Sequence, residues 1–231
     1  ALGYNVTATA DNATAVGSYG NASGKDSVTV GAASASNNNA VAIGKGANAT
    51  GSSGTAVGTE ANSAGGSSAA FGQRANASNT ASLALGYQAN ATGSWTVAVG
   101  GDVNATGNFA IAMGNRANAS STNATAFGRE TQATGDEATA VGRGAVASAA
   151  NATTLGAVAL AGQAGAVALG RGATANTSAG DVALGDSSVT AITNNVSPLM
   201  INGKDISTNF QKSKGDKGIV SVGSSTIKRQ I

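Results

Sequence analysis

Cysteine and histidine are both absent from this chain of 231 residues. Without cysteine there is no disulfide framework and no thiolate chemistry. Without histidine the commonest general base and the commonest metal ligand are missing. Zero cysteine suits any compartment, including that of an exported chain that must stay unlinked while it crosses membranes. Proline occurs once, aromatic residues make up 3% and charged residues 10%. Most of the 41% apolar fraction is alanine, which fills little volume, so a conventional core of Leu, Ile and Phe is not available. Few aromatics and few charges would also suit a disordered chain, but the strict register of the apolar positions contradicts that. No apolar run approaches the ~18 residues a membrane-spanning helix needs, and no signal peptide is visible. The chain opens in mid-repeat at Ala1-Leu2-Gly3, so it is expected to be a piece of a longer protein whose export and anchoring signals lie outside it.

An enzyme lacking His and Cys would need carboxylates, Lys or Ser/Thr nucleophiles. Asp136 and Glu137 are adjacent, so on a strand they would point to opposite faces and form no dyad. Asp102 and Glu130 each lie two residues after a repeat glycine but two repeats apart. The calcium-binding nonapeptides of other glycine-rich rolls need an aspartate in each turn, which most turns here lack. No enzyme activity, metal, cofactor or nucleic-acid partner is expected.

What is present is a ruler of glycines. A large apolar residue precedes each of Gly3, Gly17, Gly31, Gly44, Gly58, Gly72, Gly86, Gly100, Gly114, Gly128, Gly142, Gly156, Gly170 and Gly185, at a spacing of 14 with one 13 (Gly31 to Gly44) and one 15 (Gly170 to Gly185). A fixed short period is the mark of a stacked-repeat fold. The large residues are Val16, Ile43, Val57, Phe71, Leu85, Val99, Met113, Phe127, Val141, Leu155, Leu169 and Leu184, among others, and they are read as the structural core of the repeat. Two residues before the glycine stands alanine in most repeats, such as Ala42, Ala84 and Ala126, and alanines recur at plus three and plus five, such as Ala47/Ala49 and Ala173/Ala175. Period-two spacing of small and branched residues means strand. Each repeat reads as two short strands of about four to five residues joined by turns, and Gly, Asn, Ser and Thr at the connections disfavour a helix. The prediction is an all-β parallel solenoid of about fourteen 14-residue repeats, stacked into a rod on the order of 65 Å long.

Both faces of the first strand are apolar, alanine on one and Val, Leu, Ile, Phe or Met on the other. A strand with one buried face would alternate with polar residues instead. A two-stranded coil has a single interior, so the second face must meet something else, most simply copies of itself around a common axis. Periodicity alone does not set the number of copies.

The phrases Ala40-Val41-Ala42-Ile43-Gly44-Lys45-Gly46-Ala47-Asn48-Ala49 and Ala166-Val167-Ala168-Leu169-Gly170-Arg171-Gly172-Ala173-Thr174-Ala175 closely resemble the YadA-like head repeat of trimeric autotransporter adhesins. The resemblance covers 1–190. The stretch 219–231, including Val220-Ser221-Val222-Gly223-Ser224-Ser225, resembles the start of that family's neck, which leads into a coiled-coil stalk. A charged segment, 191–218, departs from the pattern between them. The resemblance implies a homotrimer of left-handed parallel β-rolls, secreted by the type V route. It would be held at the bacterial cell surface and anchored in the outer membrane through a region absent from this sequence. It also implies a virulence-associated head that binds host extracellular matrix proteins or cell-surface receptors and promotes self-association. Two other readings stay open: a structural spacer that projects other domains, and an ice-binding β-solenoid.

Two charged features have both a bland and a sharp reading. Arg116, Arg129, Arg143 and Arg171 fall at or next to the position after the repeat glycine. They are either solubilising turns or a basic stripe, multiplied by symmetry, that attracts acidic host ligands. Residues 1–195 carry a net −2 and residues 196–231 a net +4. Within the latter, Lys204, Lys212, Lys214 and Lys217 form either a brace at the head–neck junction or a charged collar. Sequons such as Asn48-Ala49-Thr50 and Asn90-Ala91-Thr92 follow from copying one repeat, with Asn read as a turn former. Tyr87 and Trp95 are expected to face outward, where two aromatics on neighbouring repeats would mark a small contact patch.

Overall fold

The structure, a computed structural model, describes residues 1–191, 200–201, 204–205 and 220–222. Two parallel sheets run side by side along the chain. The first holds fifteen strands, from Leu2–Tyr4 through Val41–Ile43 and Leu83–Leu85 to Val182–Leu184 and then Val220–Ser221; the second holds thirteen, from Thr7–Ala8 to Thr174–Ala175. Each repeat adds one strand to each sheet, which makes a β-solenoid of thirteen complete turns among the described residues. Most strands are three residues in the first sheet and two in the second, shorter than the four to five expected. The turns take up the remainder of each coil, and the ladder continues between coils, as where Asn48 N donates to Ala61 O and Gly58 N to Ile43 O. Backbone groups that alanine cannot shield are thereby paired.

Identical positions stack. Ala42 pairs with Ala56 and Ile43 with Val57. The two irregular spacings are absorbed in turns rather than strands. Asn21 pairs with Ser34, a step of 13, so the residue lost after Gly31 comes out of the first turn. Leu160 pairs with Thr174 while Val167 pairs with Val182, so the extra residue enters the turn after Ala175. There the buried carboxylate of Asp181 accepts hydrogen bonds from the Thr177 and Ser178 backbone N–H groups. The repeat glycine is obligatory for a geometric reason: at Gly58 φ is +131° and an added Cβ would lie 2.5 Å from the Gly72 carbonyl oxygen, a contact no side chain can make.

The interior is alanine. Ala42, Ala56, Ala84 and Ala98 from the first sheet are buried, as are Ala49 and Ala91 from the second and Ala47 and Ala89 just before its strands, and among the described residues Val103 is the largest apolar side chain wholly enclosed. This corrects the expectation that the large residues form the core. Val16, Phe71, Leu85, Phe127, Leu155 and Leu184 are exposed, and Ile43, Val57, Val99, Met113, Val141 and Leu169 only half-buried. The coil is too thin for them: alternate residues of a strand point to opposite sides, and the inward side has room for little more than a methyl group. Of the segment 191–218, Met200–Ile201 and Lys204–Asp205 form an antiparallel pair. Lys204 lies in that pair; Lys212, Lys214 and Lys217 fall outside the described residues, as does 223–231. Val220–Ser221 stacks in parallel on Val182–Leu184 and extends the first sheet.

Candidate interaction surfaces

The outward face of the first sheet carries two apolar columns. One runs through Val41, Leu83, Val97 and Ile111, interrupted by threonines such as Thr55 and Thr125; the other runs through Ile43, Phe71, Leu85, Met113 and Phe127. Leu85 is 45% exposed and Phe127 53%. With strands ~4.8 Å apart, the strip runs for roughly 60 Å. Contiguous apolar surface of that extent marks an interaction face rather than ordinary surface composition.

Charged residues stand in most of the turns that follow a repeat glycine. Arg74 Nε lies 2.8 Å from Glu60 Oε2. That hydrogen bond, reinforced by the Arg74 charge and more weakly by Lys45, holds the Glu60 carboxyl below its ordinary range and raises the Arg74 guanidinium. Arg129 reaches Glu130 at 2.9 Å, Arg116 reaches the same carboxylate at 3.8 Å, and Arg171 reaches Asp186 at 2.9 Å. Arg116, Arg129, Arg143 and Arg171 therefore do occupy one edge, but three of the four are ion-paired. The column is a run of alternating charge rather than a bare basic stripe. Among the described residues Arg143 has no ion pair. Asp136 and Glu137 sit exposed in the opposite turn, not on a strand.

Sequence reasoning misplaced the asparagines. The sequon residues Asn48, Asn76, Asn90, Asn104 and Asn118 are strand residues of the second sheet, not turn formers, and Asn62 stands in the same column. From Asn48 to Asn104 the side chains form a ladder: Asn48 Nδ2 donates to Asn62 Oδ1 at 3.2 Å, Asn62 to Asn76 at 2.8 Å, Asn76 to Asn90 at 2.9 Å and Asn90 to Asn104 at 3.2 Å. The signal was available, since asparagine four residues after the repeat glycine in successive repeats implies stacked amides.

Tyr87 and Trp95 are exposed as expected, at 48% and 60%. Tyr87 approaches Arg74, on the charged edge. Trp95 lies in the other turn, and beside it on the next coil is Phe109, which sequence reading passed over; it is 56% exposed. At the N-terminal end the rings of Tyr4 and Tyr19 meet edge to face at 5.6 Å between centroids.

The profile of the YadA head domain repeat (2 copies) matches residues 1–19, 35–61, 63–89, 77–102, 105–131 and 133–159, together more than half of the chain. Among solved structures, the collagen-binding domain of the Yersinia adhesin YadA is similar over 72% of either chain, with 20% sequence identity and a TM-score of 0.48. No curated protein matches.

Proposed function

This chain belongs to the YadA head domain repeat family, and from that premise we propose that it is the adhesive head of a bacterial surface protein. In this reading it works as a homotrimer of β-rolls, displayed at the outer membrane by segments beyond this sequence, and attaches to host extracellular matrix or host cells. Autoagglutination would follow from the same surface. It performs no chemistry and uses no cofactor; its product is attachment.

One observation carries the reading: the uncovered apolar strip along the first sheet. In a lone protomer it would place Phe71, Leu85, Phe127 and Leu155 in water over the length of the rod. Packing three strips around an axis covers them and turns three thin coils into one stout rod. The turns, the Asn ladder and the Ser/Thr edges are left outward in triplicate. Weak contacts repeated across copies raise effective concentration, so adhesion does not require a deep pocket.

The test is binding of the purified protein to immobilised collagen, fibronectin, laminin and cultured host cells. Saturable, oligomer-dependent binding to any of these supports the adhesive reading. A well-folded oligomer that binds none of them, while its fusion to a second binding domain restores attachment, would instead support the spacer reading, which the uninterrupted repeat favours.

A further inference from the structure

The turn that precedes each first-sheet strand puts its last residue in the left-handed region, at φ between 51° and 59° in the non-glycine cases. Along this column stand small or polar residues, among them Asn12, Asn39, Ser53, Ala81, Asn123 and Glu137, and glycine at Gly165 and Gly180. On two consecutive coils the column holds Trp95 (φ 59°) and Phe109 (φ 58°) instead. The conformation belongs to the repeat turn, since Tyr19 and Val158 hold it in the opposite turn; what sets Trp95 and Phe109 apart is that two rings follow one another in a column of small and polar residues. Both are also more than half exposed. Successive hydrogen bonds, Trp95 N to Thr80 O and Phe109 N to Ser94 O, both 2.9 Å, fix the two residues one above the other. A single exposed aromatic is ordinary. Two in register on consecutive coils, both open to solvent, present a paired aromatic surface that a lone ring does not.

The surroundings indicate the partner. Thr80, Ser94, Asn108 and Thr122 stand one residue before the column position on four successive coils, and the Ser94 N–H donates to Asn108 Oδ1 at 3.0 Å. The nearest charges in this turn are Asp136 and Glu137, two coils beyond Phe109, and Lys25 and Asp26, five coils before Trp95, while the ion pairs lie in the opposite turn. Two exposed aromatic rings among neutral hydroxyls and amides suit a ligand with apolar C–H faces and hydroxyl rims. It offers nothing to a sulfated or phosphorylated one. From this we infer that Trp95 and Phe109 form a contact site for neutral oligosaccharides, repeated in each protomer of the head. The inference deepens the adhesive reading above and rests on it.

Trp95 is the only tryptophan of the chain, so its emission reports the site directly. The full chain in its native oligomeric form is titrated with N-acetyllactosamine, lactose and chitotriose. A heparin hexasaccharide and a collagen-like triple-helical peptide serve as comparisons, and adhesion to host cells is measured in parallel. The expected result is Trp95 accessible to acrylamide, with a saturable blue shift on at least one neutral sugar. Phe109→Asn should weaken that binding at least tenfold. Trp95→Asn and Phe109→Asn should leave the melting temperature unchanged or raised, because asparagine already serves this column. No emission change with any neutral sugar, in a protein that still adheres to cells, overturns the site and leaves the adhesive reading standing. Sugar binding without adhesion keeps the site and removes the adhesive role; absence of both removes both. A response to the peptide or heparin alone overturns the assignment of ligand. Shielding from acrylamide, or loss of the oligomer in either asparagine variant, makes the pair a structural contact and also overturns it.

Discussion

Asn62 Nδ2 donates to Asn76 Oδ1 at 2.8 Å, across one coil of the solenoid. Asn76 in turn donates to Asn90 at 2.9 Å, so each amide is at once donor and acceptor, and the whole row points one way along the rod. Chains of this kind polarise one another, which strengthens each link.

Asn76→Ala removes both bonds and leaves the Asn62 donor and the Asn90 acceptor half-buried without their partners. At about 0.5–1.5 kcal/mol per bond, the expected loss is about 1–3 kcal/mol, read as a lower urea midpoint at unchanged fold by circular dichroism. A variant as stable as the parent would mean that water replaces the ladder at no cost.

Thr154 breaks the alanine column, stacked between Ala140 and Ala168. It is fully buried and its hydroxyl has no hydrogen-bond partner. Thr154→Ala restores the column and removes an orphaned polar atom, so the variant should be more stable by about 1 kcal/mol. Thermal unfolding of the two proteins side by side checks it; a lower melting temperature in the variant contradicts the account of the interior.

Ala98 is fully buried between the two sheets. Ala98→Leu must push the sheets apart or eject the side chain, and overpacking of this kind costs typically about 1–3 kcal/mol, occasionally more. Ala→Leu at an ordinary surface position is the control, and a tolerated Ala98→Leu would mean that the coil has slack.

Glu60 titrates below its ordinary value of 4.5 because of its bond to Arg74 and the guanidinium charge. A carboxylate with a depressed folded pKa contributes stability above the unfolded value and loses it as pH falls through the folded one. The contribution is therefore intact at neutral pH and fades only below about pH 4.5. Because the pair is exposed, its effect on melting is expected to be small, so the direct readout is the carboxyl titration itself by NMR. The midpoint should lie below 4.5 in the parent and move up towards it in Arg74→Ala.

Much of the architecture was legible because a solenoid writes its geometry into spacing. The glycine ruler located every coil, and the 13- and 15-residue steps proved to be one residue removed from a turn and one added to another. What periodicity could not tell was which of two apolar faces turns inward. Leu85 outranks Ala84 in hydrophobicity, yet Ala84 is buried and Leu85 is not, because the distance between sheets rather than hydrophobicity decides. Charge order was similarly hidden. The arginines look like a like-signed column in sequence, but Glu130 lies within reach of both Arg116 and Arg129 once the coils stack. Phe109 escaped notice because nothing in its neighbourhood marks a left-handed backbone; only the register with Asn123 and Asn151 does.

Sedimentation equilibrium of the purified chain tests most directly whether the apolar strip is covered by copies of itself. A single species of three times the 21.8 kDa chain mass is predicted, dissociating when Leu85 and Phe127 are both replaced by aspartate. A stable, folded species of one chain mass, with Phe127 still in water, contradicts that prediction.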